Sequence, residues 1–129
     1  MATILIVEDN AANMKLAVML LRNGGHTPLC ATDAETGLTL ARASRPDLIL
    51  LDIHLPGMDG LSATGLLKRD PVTASIPVIA LTAMAMKADR EKCLQAGCDD
   101  YIAKPLRYRE LYAAIDALLA RPAITTPVD

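Results

Sequence analysis

Two hydrophobic patterns alternate along the chain. Short apolar runs occur at Ile4-Leu5-Ile6-Val7, Leu48-Ile49-Leu50-Leu51, Ile76-Pro77-Val78-Ile79-Ala80-Leu81 and Tyr101-Ile102-Ala103. Continuous runs of this length suit strands buried on both faces, as in a parallel sheet. Thr27-Pro28-Leu29-Cys30-Ala31 is a weaker fifth strand, and its proline, which cannot donate to a ladder, predicts an edge position. Between the runs the period becomes helical. Met14, Ala17, Val18 and Leu21 fall at i, i+3, i+4 and i+7, and Gly24-Gly25 ends that helix. Ala34, Leu38 and Ala41 form a second stripe closed by Pro46, and Gly60, Thr64 and Leu67 a third that ends before Pro71. A fourth helix is expected over residues 85–96, stopped by Gly97, and Leu111, Ile115 and Leu118 mark a fifth ending at Pro122. Five strand–helix alternations predict an α/β fold with helices on both faces of one parallel sheet, and right-handed crossovers leave few topologies.

The length of 129 residues fits one domain, expected over 1–121, with 122–129 as a tail. Hydrophobic residues make up 52% of the chain but aromatics only 2%, so the core must be built from aliphatic residues and methionine. That composition disfavours base-stacking platforms. The 13 Lys and Arg residues are scattered and the net charge is −2, which argues against a nucleic-acid partner. Cys30, Cys93 and Cys98 lack metal-ligand spacing and are odd in number, so buried free thiols in a reducing compartment are expected. No apolar run is long enough for a membrane span, and Glu8 and Asp9 interrupt the first run before it resembles a signal peptide. A cytoplasmic protein with no membrane partner is the expectation.

The informative polar residues follow the apolar runs. Glu8 and Asp9 follow the first, Asp52 the third strand, Thr82 the fourth, and Lys104-Pro105 the fifth. Ligands of open α/β sheets bind outside the carboxyl ends of strands, where strand order reverses. Like charges about 4 Å apart repel by roughly 4 kcal/mol at an effective dielectric near 20. A protein relieves this by protonating one acid or by binding a cation. Lys104 supplies one positive charge, and a hard divalent ion, magnesium with manganese or calcium as substitutes, answers the rest. Such a site would neutralise a phosphoryl group arriving on Asp52 as nucleophile, with the Thr82 hydroxyl donating to a phosphoryl oxygen. Ordinary roles stay open for the same residues. Glu8, Asp9 and Thr82 suit helix N-termini, Lys104 a solvated surface, and Tyr101 a core position with a wet tip.

Four stretches together carry a resemblance. They are Ile4 to Asn10 (ILIVEDN), Pro46 to Gly60 (PDLILLDIHLPGMDG), Ile76 to Ala83 (IPVIALTA) and Gly97 to Pro105 (GCDDYIAKP). In this order and spacing the chain is similar to the receiver domains of bacterial two-component response regulators, over residues 3 to about 120. The stretches Asn13-Met14-Lys15-Leu16 and Thr82 to Lys87 further resemble the DivK type of stand-alone regulator. The resemblance implies a flavodoxin-like sheet of order 2-1-3-4-5 with five helices. It implies phosphorylation of Asp52, with Asp9, Asp52 and the backbone carbonyl of His54 as metal ligands and Glu8 reaching the ion through water. Lys104 would contact the phosphoryl group and precede a cis peptide to Pro105, while Thr82 and Tyr101 would form the switch. The His54 side chain and the methionines Met84 and Met86 are not expected to react. The implied partner surface comprises Ala83, Met84, Met86, Lys87, Tyr101, Tyr108 and Tyr112.

Three functions compete on this reading. The first is a stand-alone switch, phosphorylated by a histidine kinase or histidine phosphotransfer protein and signalling to a downstream protein target as a monomer or weak phosphorylation-dependent dimer. The others are a phosphotransfer intermediate returning the group to a histidine, and a receiver fragment of a larger regulator or hybrid kinase. Met1 and the short tail favour the intact single domain. An aspartyl-phosphate hydrolase of the haloacid dehalogenase type is set aside, because it wants a second acid two residues after the nucleophile, where His54 stands. A signalling domain that catalyses only its own phosphorylation and slow dephosphorylation is expected, rather than a metabolic enzyme.

Overall fold

A computed structural model of the chain describes residues 2–83 and 87–120, with backbone only at 87–89. The expected tail at 122–129 lies outside the described residues. In chain order the elements are β1 (Thr3–Val7), α1 (Ala11–Asn23), β2 (Thr27–Ala31), α2 (Ala34–Ser44), β3 (Leu48–Asp52), α3 (Gly60–Arg69), β4 (Val78–Thr82), α4 (Lys87–Ala96), β5 (Asp100–Ala103) and α5 (Tyr108–Leu119). The five strands form one parallel sheet of order β2-β1-β3-β4-β5. Each strand sends alternate side chains to opposite faces. Ile4, Ile6, Leu48, Leu50, Ile79 and Leu81 meet Ala17 and Leu21 of α1 and Leu111, Ile115 and Leu118 of α5. Leu5, Val7, Ile49, Leu51, Val78 and Ala80 meet Ala34 and Ala41 of α2, Ala63 and Leu67 of α3, and Cys93 of α4. Burial on both faces is why β1, β3 and β4 read as unbroken apolar runs.

The edge position of β2 follows its proline. Pro28 pairs in register with Ile4, and β2 has no partner on its other side among the described residues. Cys30 is exposed there, a correction to the expectation of three buried thiols, while Cys93 and Cys98 are buried, and none of the three forms a disulfide among the described residues. The fourth strand begins at Val78 rather than Ile76, because Pro77 contributes a carbonyl, accepting from the Ile49 amide at 2.9 Å, but has no amide to give. Helix α2 ends at a left-handed residue, Arg45 (φ 43°), whose N–H donates to the Ala41 carbonyl at 3.0 Å. Pro46 bars right-handed helical geometry at the residue before it, so the chain turns there.

Three helices start on polar caps. Asn10, Asp33 and Asp59 each accept from a backbone amide three residues on, at Asn13, Thr36 and Ser62. Because crossovers return every strand in the same direction, β1, β3, β4 and β5 all end on one side of the sheet. The order reverses between β1 and β3 on that side, where a crevice is expected.

Candidate functional site

Glu8 leaves the end of β1 with its amide donating to the Ala31 carbonyl at 3.0 Å, and its carboxylate is buried, 1% exposed. Asn10 both caps α1 with its side chain and donates its own N–H to Glu8 Oε2 at 3.1 Å. Asp9, between them, is exposed. Asp52 is the last residue of β3 and only 2% exposed. Its Oδ1 accepts from the His54 amide at 2.9 Å, and its Oδ2 accepts from Lys104 Nζ at 2.9 Å. Lys104 arrives from β5, with its amide donating to the Thr82 carbonyl at 2.7 Å and a cis peptide to Pro105. Its ammonium also lies 2.7 Å from Glu8 Oε1. Thr82 is fully buried at the end of β4. The sequence separations among these groups are large; the sheet order brings them together.

The charge balance is negative. Carboxylate oxygens of Glu8, Asp9 and Asp52 all lie within 4.8 Å of one another, against one ammonium. Burial pushes the Glu8 carboxyl above its usual range, outweighing the pull of Lys104 and the Asn10 amide, with Asp52 adding to the rise. Burial alone would lower Lys104, but Glu8 and Asp52 outweigh it and hold the ammonium above its ordinary value. Glu8 Oε1 is buried and makes an ion-pair contact with Lys104 outside hydrogen-bond geometry, and it has no hydrogen-bond partner among the described residues. An oxygen-only donor set, excess negative charge and an under-satisfied buried carboxylate oxygen fit a hard divalent cation.

The profile of the response regulator receiver domain family matches residues 4–116. The chain belongs to that family. This receiver domain is 44% identical to the polar-differentiation response regulator DivK of Brucella anthropi over 117 residues, 91% of this chain and 95% of the relative. The crystal structure of the receiver domain of sensor histidine kinase PA1611 from Pseudomonas aeruginosa, with magnesium coordinated in its active-site cleft, superposes with a TM-score of 0.87 at 38% identity, covering 93% of this chain and 98% of that one. A two-component response regulator from Clostridium difficile gives a TM-score of 0.86 at 28% identity, covering 94% and 98%. The fold is the flavodoxin-like receiver fold, and the protein is a two-component response-regulator domain. Membership implies a kinase or phosphotransfer partner. No helix among the described residues is long and apolar enough to cross a membrane.

The structure brings Glu8, Asp9, Asp52 and Lys104 into one crevice, with Thr82 at the end of the neighbouring strand. His54 is exposed and touches the site through its amide. Tyr101 lies half-buried on β5 with the Arg90 guanidinium over its ring at 5.6 Å. Ala83 and Tyr108 are exposed. Tyr112 is half-buried, and its hydroxyl donates to the Leu20 carbonyl at 2.8 Å, tying α5 to α1. Met84 and Met86 lie outside the described residues, as does the side chain of Lys87.

Two supporting residues escaped the sequence reading. Asn10 has a visible signal, a helix-capping type directly after two acids. Gly60 begins α3 against the backbone of Asp52: a Cβ there would lie 2.3 Å from the Asp52 carbonyl oxygen and 2.5 Å from Ile53 Cα. Its amide donates to the Ile53 carbonyl at 3.2 Å. The periodic stripe places Gly60 on the buried face but is silent on that contact.

Proposed function

We propose that this receiver domain is a phosphoacceptor switch, phosphorylated on Asp52 by a histidine kinase or histidine phosphotransfer protein and signalling through altered protein contacts. The observation that carries the reading is the Asp52 carboxylate itself. It is buried at a strand end, held on one oxygen by the His54 amide and on the other by Lys104, and set within reach of two further acids. In the transfer, one Asp52 carboxylate oxygen forms a bond to phosphorus as the phosphorus–nitrogen bond to the donor imidazole breaks, and the proton required returns to that imidazole. Lys104 is placed to follow the charge from carboxylate to phosphoryl oxygen, which is the electrostatic stabilisation such transfers need. Glu8, Asp9 and Asp52 would hold magnesium, with manganese or calcium as substitutes and the His54 carbonyl as a further ligand. When bound, the ion supplies positive charge to the phosphoryl oxygens. The magnesium in the Pseudomonas aeruginosa receiver supports this assignment. The Thr82 hydroxyl would then draw toward the phosphoryl group and Tyr101 would turn inward, changing the surface of α4, β5 and α5 that includes Ala83, Tyr101 and Tyr108. The domain spans residues 1–121 on this reading and works in the cytoplasm.

Incubation with a phosphohistidine donor tests the proposal. Labelling should require magnesium, vanish in Asp52→Asn, and slow in Asp9→Asn with weakened metal affinity. Transfer that proceeds unchanged in chelator would overturn the metal assignment.

A further inference from the structure

The switch described above moves an aromatic side chain, and the resting position of that side chain has a specific contact. Tyr101 pairs with Ala80 on the neighbouring strand, and Thr82 pairs with Ala103. Positions two apart along a strand share a face, so Tyr101, Ala80 and Thr82 all address the side of the sheet covered by α3 and α4. The Tyr101 ring packs at the margin of the core cluster on that side, which includes Ala80, Cys93 and Cys98. Arg90, on α4, sits one turn before the buried Cys93 and so on the same side of the helix. Its guanidinium carbon lies 5.6 Å from the centre of the Tyr101 ring, within the range of a cation–π contact. Arg90 forms no ion pair among the described residues. The ring is its defined partner.

We infer that Arg90 is a latch on the switch, a positioning residue that holds Tyr101 in its half-buried resting place and biases the domain toward the unphosphorylated form. The inference rests on the switch reading proposed above. A ring that turns inward toward Thr82 leaves the guanidinium behind on α4, so the contact exists in one state and not the other. Only such differential contacts shift a two-state equilibrium. An exposed cation–π contact shifts an equilibrium by about 2- to 5-fold. The latch therefore trims the resting activity of the switch and, by linkage, raises the level of phosphoryl mimic needed to turn it on by the same factor.

The test uses ring-carbon NMR of tyrosine-labelled full chain, whose three tyrosines give few resonances, titrated with beryllofluoride at fixed magnesium. In Arg90→Ala the resting Tyr101 resonance should move toward its saturated position, and half-saturation should come at about 2- to 5-fold lower mimic concentration. Arg90→Lys should fall between wild type and Arg90→Ala. If the Tyr101 ring responds to the mimic but Arg90→Ala changes neither its resting resonance nor half-saturation, the latch is wrong and the switch survives. If the wild-type ring does not respond at all, the switch reading fails and the latch falls with it.

Discussion

Substituting Gly60 by alanine sets helix propensity against tertiary space beside Asp52. The added Cβ would stand 2.3 Å from the Asp52 carbonyl oxygen, 2.5 Å from Ile53 Cα and 2.9 Å from the Asp52 carbonyl carbon, all backbone atoms that cannot rotate away. Restoring ordinary contact distances requires α3 and the end of β3 to separate by about 1 Å. Overpacking of this kind costs about 1–3 kcal/mol, against a helix-propensity gain of at most about 1 kcal/mol. With that gain fully realised the net loss is up to about 2 kcal/mol, and for a domain of this size the melting temperature falls by up to roughly 10 °C. Because the displaced backbone carries Asp52, labelling by a small acyl phosphate should slow by roughly 10- to 100-fold, as a 1 Å misplacement of a reacting group allows. The control is Gly65→Ala in the same helix, where the nearest atoms to the Cβ would belong to the flexible Arg69 side chain, at 3.6 Å and beyond. That variant should be neutral or more stable by up to about 1 kcal/mol and should label normally. Thermal unfolding and labelling rate, measured on both variants, decide the matter. Wild-type behaviour of Gly60→Ala, or equal damage in Gly65→Ala, would refute the reasoning.

Other consequences are separable from the site. Lys68 donates to the Ile76 carbonyl at 2.8 Å and to Asp99 Oδ2 at 3.0 Å, bracing α3 against the start of β4 and the entry to β5. Lys68→Ala should cost about 1–2 kcal/mol in chemical denaturation without altering phosphoryl stoichiometry. Burial pushes the Cys98 thiol up to about 11, against a weaker pull from Thr64. A raised thiol pKa means that the folded state favours the neutral form, so stability should hold below the unfolded pKa near 9 and decline as pH rises toward 11; a flat stability profile there would contradict it. An alkylating reagent should modify Cys30 in the native protein and spare Cys93 and Cys98 until unfolding. The backbone amide of Thr36 holds Asp33 below its ordinary range. The stabilisation that Asp33 gives over Asp33→Ala should therefore be present at neutral pH and disappear as pH falls through the Asp33 pKa.

The strands were legible because periodicity records burial, and β1, β3 and β4 are buried on both faces. The acids and the lysine were legible because each follows its apolar run, which places it at a strand end whatever the loops do. The limits of β4 were less so, since Ile76 and Pro77 are as apolar as the strand they precede but carry no complete ladder. The exposure of Cys30 depends on what lies across from it, which local pattern does not encode. The same holds for the contact of Gly60 with β3 and of Arg90 with Tyr101. Both join two different elements and leave no periodic trace. The caps at Asn10, Asp33 and Asp59 were visible in principle, each a short polar residue just ahead of a helical stripe.

The central claim is that Asp52 receives the phosphoryl group, and the most direct test is to locate that group chemically. Protein labelled from a phosphohistidine donor in magnesium, trapped by borohydride reduction and mapped by peptide mass spectrometry, should carry its modification on Asp52 and on no other acid, including the neighbouring Glu8 and Asp9. Modification at another residue, or undiminished labelling of Asp52→Asn, would contradict the account.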